Sequence, residues 1–122
     1  MTLYSQGKPA RVISDHAVCT AGGTLYNIYT CPNTCRAEVT MLMVTNSSGS
    51  TTSTTVSWYD ASRTQTINIL GSKSLSNGDY VLLTGATLVL EPGDRLDITA
   101  GTSGVIRVDA LCTVTETFIP VG

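Results

Sequence analysis

The feature that most restricts this chain is a strict two-residue alternation near its C-terminus. Ile106, Val108, Ala110, Cys112 and Val114 take every second position, and Arg107, Asp109, Thr113 and Thr115 lie between them. Successive side chains of an extended strand point to opposite faces, so this pattern describes a strand with one face in a core and the other toward solvent. No stretch sustains apolar residues at i, i+3, i+4 and i+7, and 11 glycines recur too often for long helices. Elsewhere β-branched and aromatic residues alternate with polar ones, and turn residues arrive about every ten positions. The expectation is an all-β domain without substantial helix, either a sandwich or a barrel.

The same signal locates the other strands. Arg11 to Cys19 reads weakly as the first, and Thr24 to Cys31 as the second, ending at the turn Pro32-Asn33-Thr34. Arg36 to Thr45 is apolar on both sides, with Val39, Met41 and Met43 facing one way and Leu42 and Val44 the other. Such a strand is buried on both faces, inside the domain or against another subunit. Two methionines fit an adaptable contact as well as they fit ordinary core packing. The stretch "NSSGSTTSTT", residues 46–55, begins as a turn and ends in good strand formers. Thr54 to Tyr59 follows, with Trp58 beside Val56 as a core anchor rather than a ligand platform. Thr66 to Leu70 is a short strand, and Asn77-Gly78-Asp79 turns into Tyr80 to Leu83. Leu88 to Glu91 and Arg95 to Ala100 form the arms of a hairpin-like corner.

Composition narrows the function classes. The 122 residues fit one domain and suffice for a real core. Charged residues are 13% of the chain and the net charge is −2, so there is no electrostatic footprint for nucleic acid. No apolar run approaches the roughly 18–20 residues that span a bilayer, and Met1 to Pro9 lacks the layout of a secretory leader. The chain is therefore expected to be made in the cytoplasm and to stay soluble, which makes the acceptor pattern Asn46-Ser47-Ser48 accidental. In a reducing compartment Cys19, Cys31, Cys35 and Cys112 are expected as free thiols, with a disulfide and a metal site as lesser alternatives.

Four ionisable groups crowd into "LVLEPGDRLDITA", residues 88–100: Glu91, Asp94, Arg95 and Asp97. Proline at 92 and glycine at 93 are the chemistry of a type II turn, with Asp94 able to bond back to the turn amides. Glu91 then ends a strand in solvent, and Arg95 and Asp97 take outward positions opposite Leu96 and Ile98. Acid–base catalysis needs carboxylates converging on a cleft with a displaced pKa, and nothing here requires one. The single histidine, His16, has no nucleophile motif around it and reads as a surface or satisfied residue. Gly101 to Gly104 joins two strands and opens no helix, so it is no phosphate loop. The expectation is a protein that is not an enzyme, with no catalytic residues, no cofactor and no metal.

Three blocks carry a family likeness: Tyr29-Thr30-Cys31-Pro32, Ala37-Glu38-Val39-Thr40, and Val44-Thr45-Asn46-Ser47-Ser48-Gly49-Ser50. With Leu75, Gly78-Asp79 and Leu88-Val89-Leu90-Glu91-Pro92-Gly93-Asp94-Arg95-Leu96, the sequence resembles small β-sandwich virion structural proteins of tailed bacteriophages, of the capsid decoration or cement kind. The likeness runs over roughly residues 27 to 115. Cys31 and Cys35 depart from it, standing where the family more usually has valine and a basic or small residue.

The resemblance implies an antiparallel β-sandwich, jelly-roll-like, of about eight strands. It implies a decoration protein on the outer capsid surface of the virion, made in the host cytoplasm, bound to the major capsid protein and assembled as a homotrimer, with no nucleic acid and no membrane partner. The alternative role is a tail, neck or fibre-associated module in host recognition or attachment. The expected organisation is an N-terminal arm and first strand at 1–24, a sandwich domain at 25–117 and a C-terminal tail at 118–122. Expected partner contacts are Met1, Thr2, Leu3, Tyr4, Met41, Met43, Phe118 and Ile119.

Overall fold

The structure, a computed structural model, describes residues 10 to 119. Eight strands follow one another: β1 (Arg11–Ala21), β2 (Leu25–Thr30), β3 (Cys35–Asn46), β4 (Thr52–Asp60), β5 (Gln65–Leu75), β6 (Tyr80–Leu90), β7 (Arg95–Ala100) and β8 (Val105–Phe118). Among the described residues there is no helix. The strands form two four-stranded sheets, one ordered β1-β8-β3-β6 and the other β2-β7-β4-β5, with every pairing antiparallel. Apart from the β4–β5 hairpin, neighbours in each sheet are not consecutive in the chain, and the two sheets interleave the strands as a jelly roll does.

The core lies between the sheets and follows the pleat. Val108, Ala110, Cys112 and Val114 of β8 are buried, as the alternation predicts, and they face Ile28, Val56, Leu96 and Ile98 among others of the core cluster. The sheets approach closely along β1, β2, β7 and β8 and stand apart along β5 and β6. One side of the sandwich is thus closed and the other open.

Two strands differ from the local reading. In β3, Val39 pairs with Val114 while Met41 pairs with Thr113, so Thr40 is an extra residue that shifts the phase. A single inserted residue flips every later side chain to the opposite face. Val39 therefore joins Leu42 and Val44 inside, and Met41 and Met43 alone face out. Opposite Thr40, the register of β6 also breaks between Thr84 and Leu88, with Gly85 at φ +69. Tyr80 to Leu83 and Leu88 to Glu91, expected as separate strands, are the two halves of this one irregular strand.

The charged turn has the predicted backbone and a different burial. Gly93 takes φ +87, and Asp94 N–H donates to Glu91 O at 3.0 Å, which closes the type II turn. Asp97 does lie on the outward side of β7, yet it is only 3% exposed. Its strand is central, and Asn27 and Ser57 flank it from both neighbours.

Candidate interaction face

The sheet β1-β8-β3-β6 has an outer face set by the same alternation that builds the core. Reading across the register gives the row His16, Leu111, Met43, Leu82 and, beside it, the row Val18, Asp109, Thr45, Tyr80. Met41 continues the stripe next to Thr113 and Thr84. Tyr80 is 58% exposed and Leu82 47%. Scattered exposed apolar residues are ordinary, whereas a contiguous patch of several hundred Å² marks a contact surface.

Where the sandwich is open, the core is reachable from outside. An apolar crevice of about 50 Å³ lies between the sheets, lined by Val39, Leu42, Leu83, Leu88 and Leu96 with Ile69 at its rim. It follows from the paired bulges of β3 and β6, which pull the backbone out of register beside it. At the opposite end from the charged turn, an open cleft of about 330 Å³ is lined by hydroxyls, including Ser50, Thr51, Ser53, Thr102 and Ser103.

The ionisable groups serve the framework. Asp94 is buried and accepts from Trp58 Nε1 at 3.1 Å, Ala61 N at 2.9 Å and Glu91 N at 3.0 Å. It thereby ties the β4–β5 turn to the β6–β7 turn. Arg95 donates to Asp97 at 2.7 Å and stacks 4.1 Å over the Tyr59 ring, and Asn27 Nδ2 donates to the same carboxylate at 3.1 Å. Glu91 stays in solvent with Arg36. Glu116, one step beyond the apolar alternation of β8, is buried, accepts the Tyr29 hydroxyl and pairs with Arg11 at 3.0 Å. Burial and the neighbouring Glu116 push the Tyr29 hydroxyl well above the usual phenol range.

All four cysteines are buried free thiols. Burial raises Cys19, Cys31 and Cys112 to about 11, so they stay protonated and unreactive at neutral pH. Cys31 donates to Cys35 O at 3.2 Å instead of bonding to its sulfur. His16 is exposed on the outer face, with its own amide bonded to Asp15. Asn46 is 1% exposed, and its amide donates to Ser50 O and Leu75 O at 2.8 Å each, so the apparent acceptor asparagine is a loop brace.

The expected contact residues separate. Met41 and Met43 sit together in the apolar stripe, half-buried. Phe118 and Ile119 lie at the end of β8 beside the β2–β3 turn, where Ile119 N donates to Thr34 O and Phe118 packs on the core. Met1, Thr2, Leu3 and Tyr4 are outside the described residues. Local reading missed Tyr80 and Leu82, although the register of a two-faced third strand points to outward apolar partners on its neighbours.

No family profile matches the sequence, and no curated protein matches it. Solved structures do. A chain of the acid-stable capsid of Helicobacter pylori bacteriophage KHP30 superposes with a TM-score of 0.57 at 15% identity, covering 90% of this chain and 94% of that one. A chain from the capsid asymmetric unit of cyanophage Pam1 gives 0.50 at 13% identity, covering 98% and 91%. A chain of the T13 particle of infectious bursal disease virus gives 0.56 at 14% identity, covering 92% of this chain. This chain spans only 32% of that viral protein. At these identities the likeness concerns the fold.

Proposed function

We propose that this protein is a non-enzymatic structural component of a bacteriophage virion, a decoration protein that binds the major capsid protein on the outer surface as a homotrimer. One observation carries the reading: the match to chains from two phage capsids covers 90% and 98% of this chain and 94% and 91% of theirs. A jelly roll of this size with an apolar outer sheet face works by area, and a stable association buries about 1,600 Å² in total. Three copies binding together add avidity to each contact. Met1 to Pro9 carries part of the shell contact. Stability of the shell follows from occupancy, and no bond is made or broken.

Quantitative proteomics of purified particles tests this directly. Hundreds of copies per particle are expected, and a handful would assign the protein to the tail. Deleting residues 1–9 should lower capsid occupancy without unfolding the sandwich, and unchanged occupancy would remove the arm from the contact. The tail, neck or fibre reading draws on the hydroxyl-lined cleft, whose uncharged polar lining fits recognition of a polar surface ligand.

A further inference from the structure

Among the described residues, four of the six cations are in ion pairs: Arg11, Arg36, Arg95 and Arg107. The other two, Arg63 and Lys73, are both exposed and stand at opposite ends of β5. Between them the open side presents Ile67 at 46% exposure and Ile69 at 36%. This edge is a strip of positive, apolar, positive.

The outer face half formed by β3 and β6 has the opposite pattern. Glu38 projects outward at one end, opposite Val89, and Asp79 adjoins Tyr80 at the other. Neither makes an ion pair among the described residues, and Met43, Tyr80 and Leu82 lie between them. Of the other carboxylates outside ion pairs, Asp94 is saturated, Asp60 accepts the Ser62 hydroxyl at 2.9 Å, and Asp15 sits on the distant edge strand β1. Edge strands are commonly guarded by charges and proline, and β6, the edge strand that carries Tyr80 and Leu82, has neither.

We propose that the occupant of this face is a second copy of the chain, seated by its open β5 edge, with Arg63 against Glu38 and Lys73 against Asp79. Polarity supports the match. Arg63 lies on the turn that Asp94 ties to the Glu91 turn, the end at which Glu38 stands. Lys73 lies at the end where Asn46 binds both Leu75 O and Asp79. Like ends therefore meet, as they do when neighbours are related by rotation about an axis along the strands. The contact is head-to-tail, since edge and face are different surfaces. Ile69 of β5 and Leu83 and Leu88 of β6 line one crevice on the open side, so edge and face lie on neighbouring sides of the sandwich, and the proposed rotation between copies closes a small ring instead of a filament. The inference rests on the homo-oligomer part of the proposed function and is independent of capsid binding.

Sedimentation equilibrium of the full chain tests it. The wild type should form a closed oligomer. Arg63→Glu with Lys73→Glu, or Glu38→Lys with Asp79→Lys, should weaken association about a hundredfold, since like charges then face each other. All four positions are exposed, so each variant should keep a folded sandwich with the wild-type circular dichroism spectrum, its thermal midpoint falling only by the stabilisation that association supplies. Combining the four substitutions restores opposite charges and should restore the ring. A monomeric wild type, double variants that still assemble, or a folded quadruple variant that stays dissociated would each overturn the contact. Capsid binding is scored separately: rings that ignore the shell would leave this contact standing and remove the decoration reading.

Discussion

β8 and β5 are long strands of good strand formers, 14 and 11 residues, placed in opposite circumstances. β8 is flanked by β1 and β3, and its inner residues from Val108 to Glu116 are all buried. β5 pairs only with β4, at the edge of the open side, and Leu75 is its one buried residue. Nearly every substitution on the inner face of β8 must therefore be felt by the fold. On β5 the fold leaves side chains free for contacts outside the subunit. With the proposed contact on β5, stability and association fall to different strands and should separate by mutation.

The largest expected effect is alkaline unfolding, and it originates around β8. Cys112 lies on that strand, Cys19 pairs with its Val108, and Cys31 is buried nearby. Their folded values of about 11 exceed the ordinary thiol value of 9.0. The unfolded chain releases these protons first, so the stabilisation is complete below pH 9 and is lost as pH rises to 11. Circular dichroism against pH should show this loss, and alanine at all three positions should shift it upward. An unshifted alkaline transition in the triple variant would contradict it. β5 carries no thiol to contribute.

Next comes Glu116→Ala, which strips the buried Tyr29 hydroxyl and Arg11 of their partner and leaves a void. A loss of about 3 kcal/mol is expected by denaturant titration. Val114→Ala, at 0% exposure and paired on both sides with Ile13 and Val39, should cost about 2 kcal/mol. A cost under half of that would mean that the inner face of β8 is less constrained than its burial implies.

The contrast also explains what was legible in the sequence. β8 announced itself because one face is buried and the other is not, which is the condition under which composition alternates. β5 is exposed on both faces, so polar residues such as Asn68, Ser72 and Ser74 interrupt it, and only Thr66 to Leu70 read as strand. The phase of β3 was lost at Thr40, a bulge that no glycine or proline marks. Asp97 was read as outward and solvated because charged residues usually are, and Asp94 as bonding only to the amides of its own turn, a bond that Glu91 N makes. Their burial depends on partners about 35 to 70 residues away in sequence, Trp58 and Asn27, which no local window contains. Glu116 could have been found: it occupies the next inward step after Val114. The jelly-roll order itself came from family resemblance, since alternation says which face is buried and not which strand lies beside which. Of the expected contacts, Met41 and Met43 were legible as one apolar pair, while the unmatched charges of β5 needed the whole ion-pair pattern.

The smallest effect on stability should come from β5, and it sharpens the comparison most. Ile67 pairs with Trp58 yet is 46% exposed, so Ile67→Ser removes little that the monomer buries. A loss below about 1 kcal/mol is expected, within about 5 °C in the thermal midpoint. The same substitution removes apolar area from the centre of the strip between Arg63 and Lys73. Association should therefore weaken even though both charges remain, and raising the salt concentration should weaken it further. A variant that lost several kcal/mol as a monomer would mean that β5 is part of the core after all, and the division of labour between the two strands would fail.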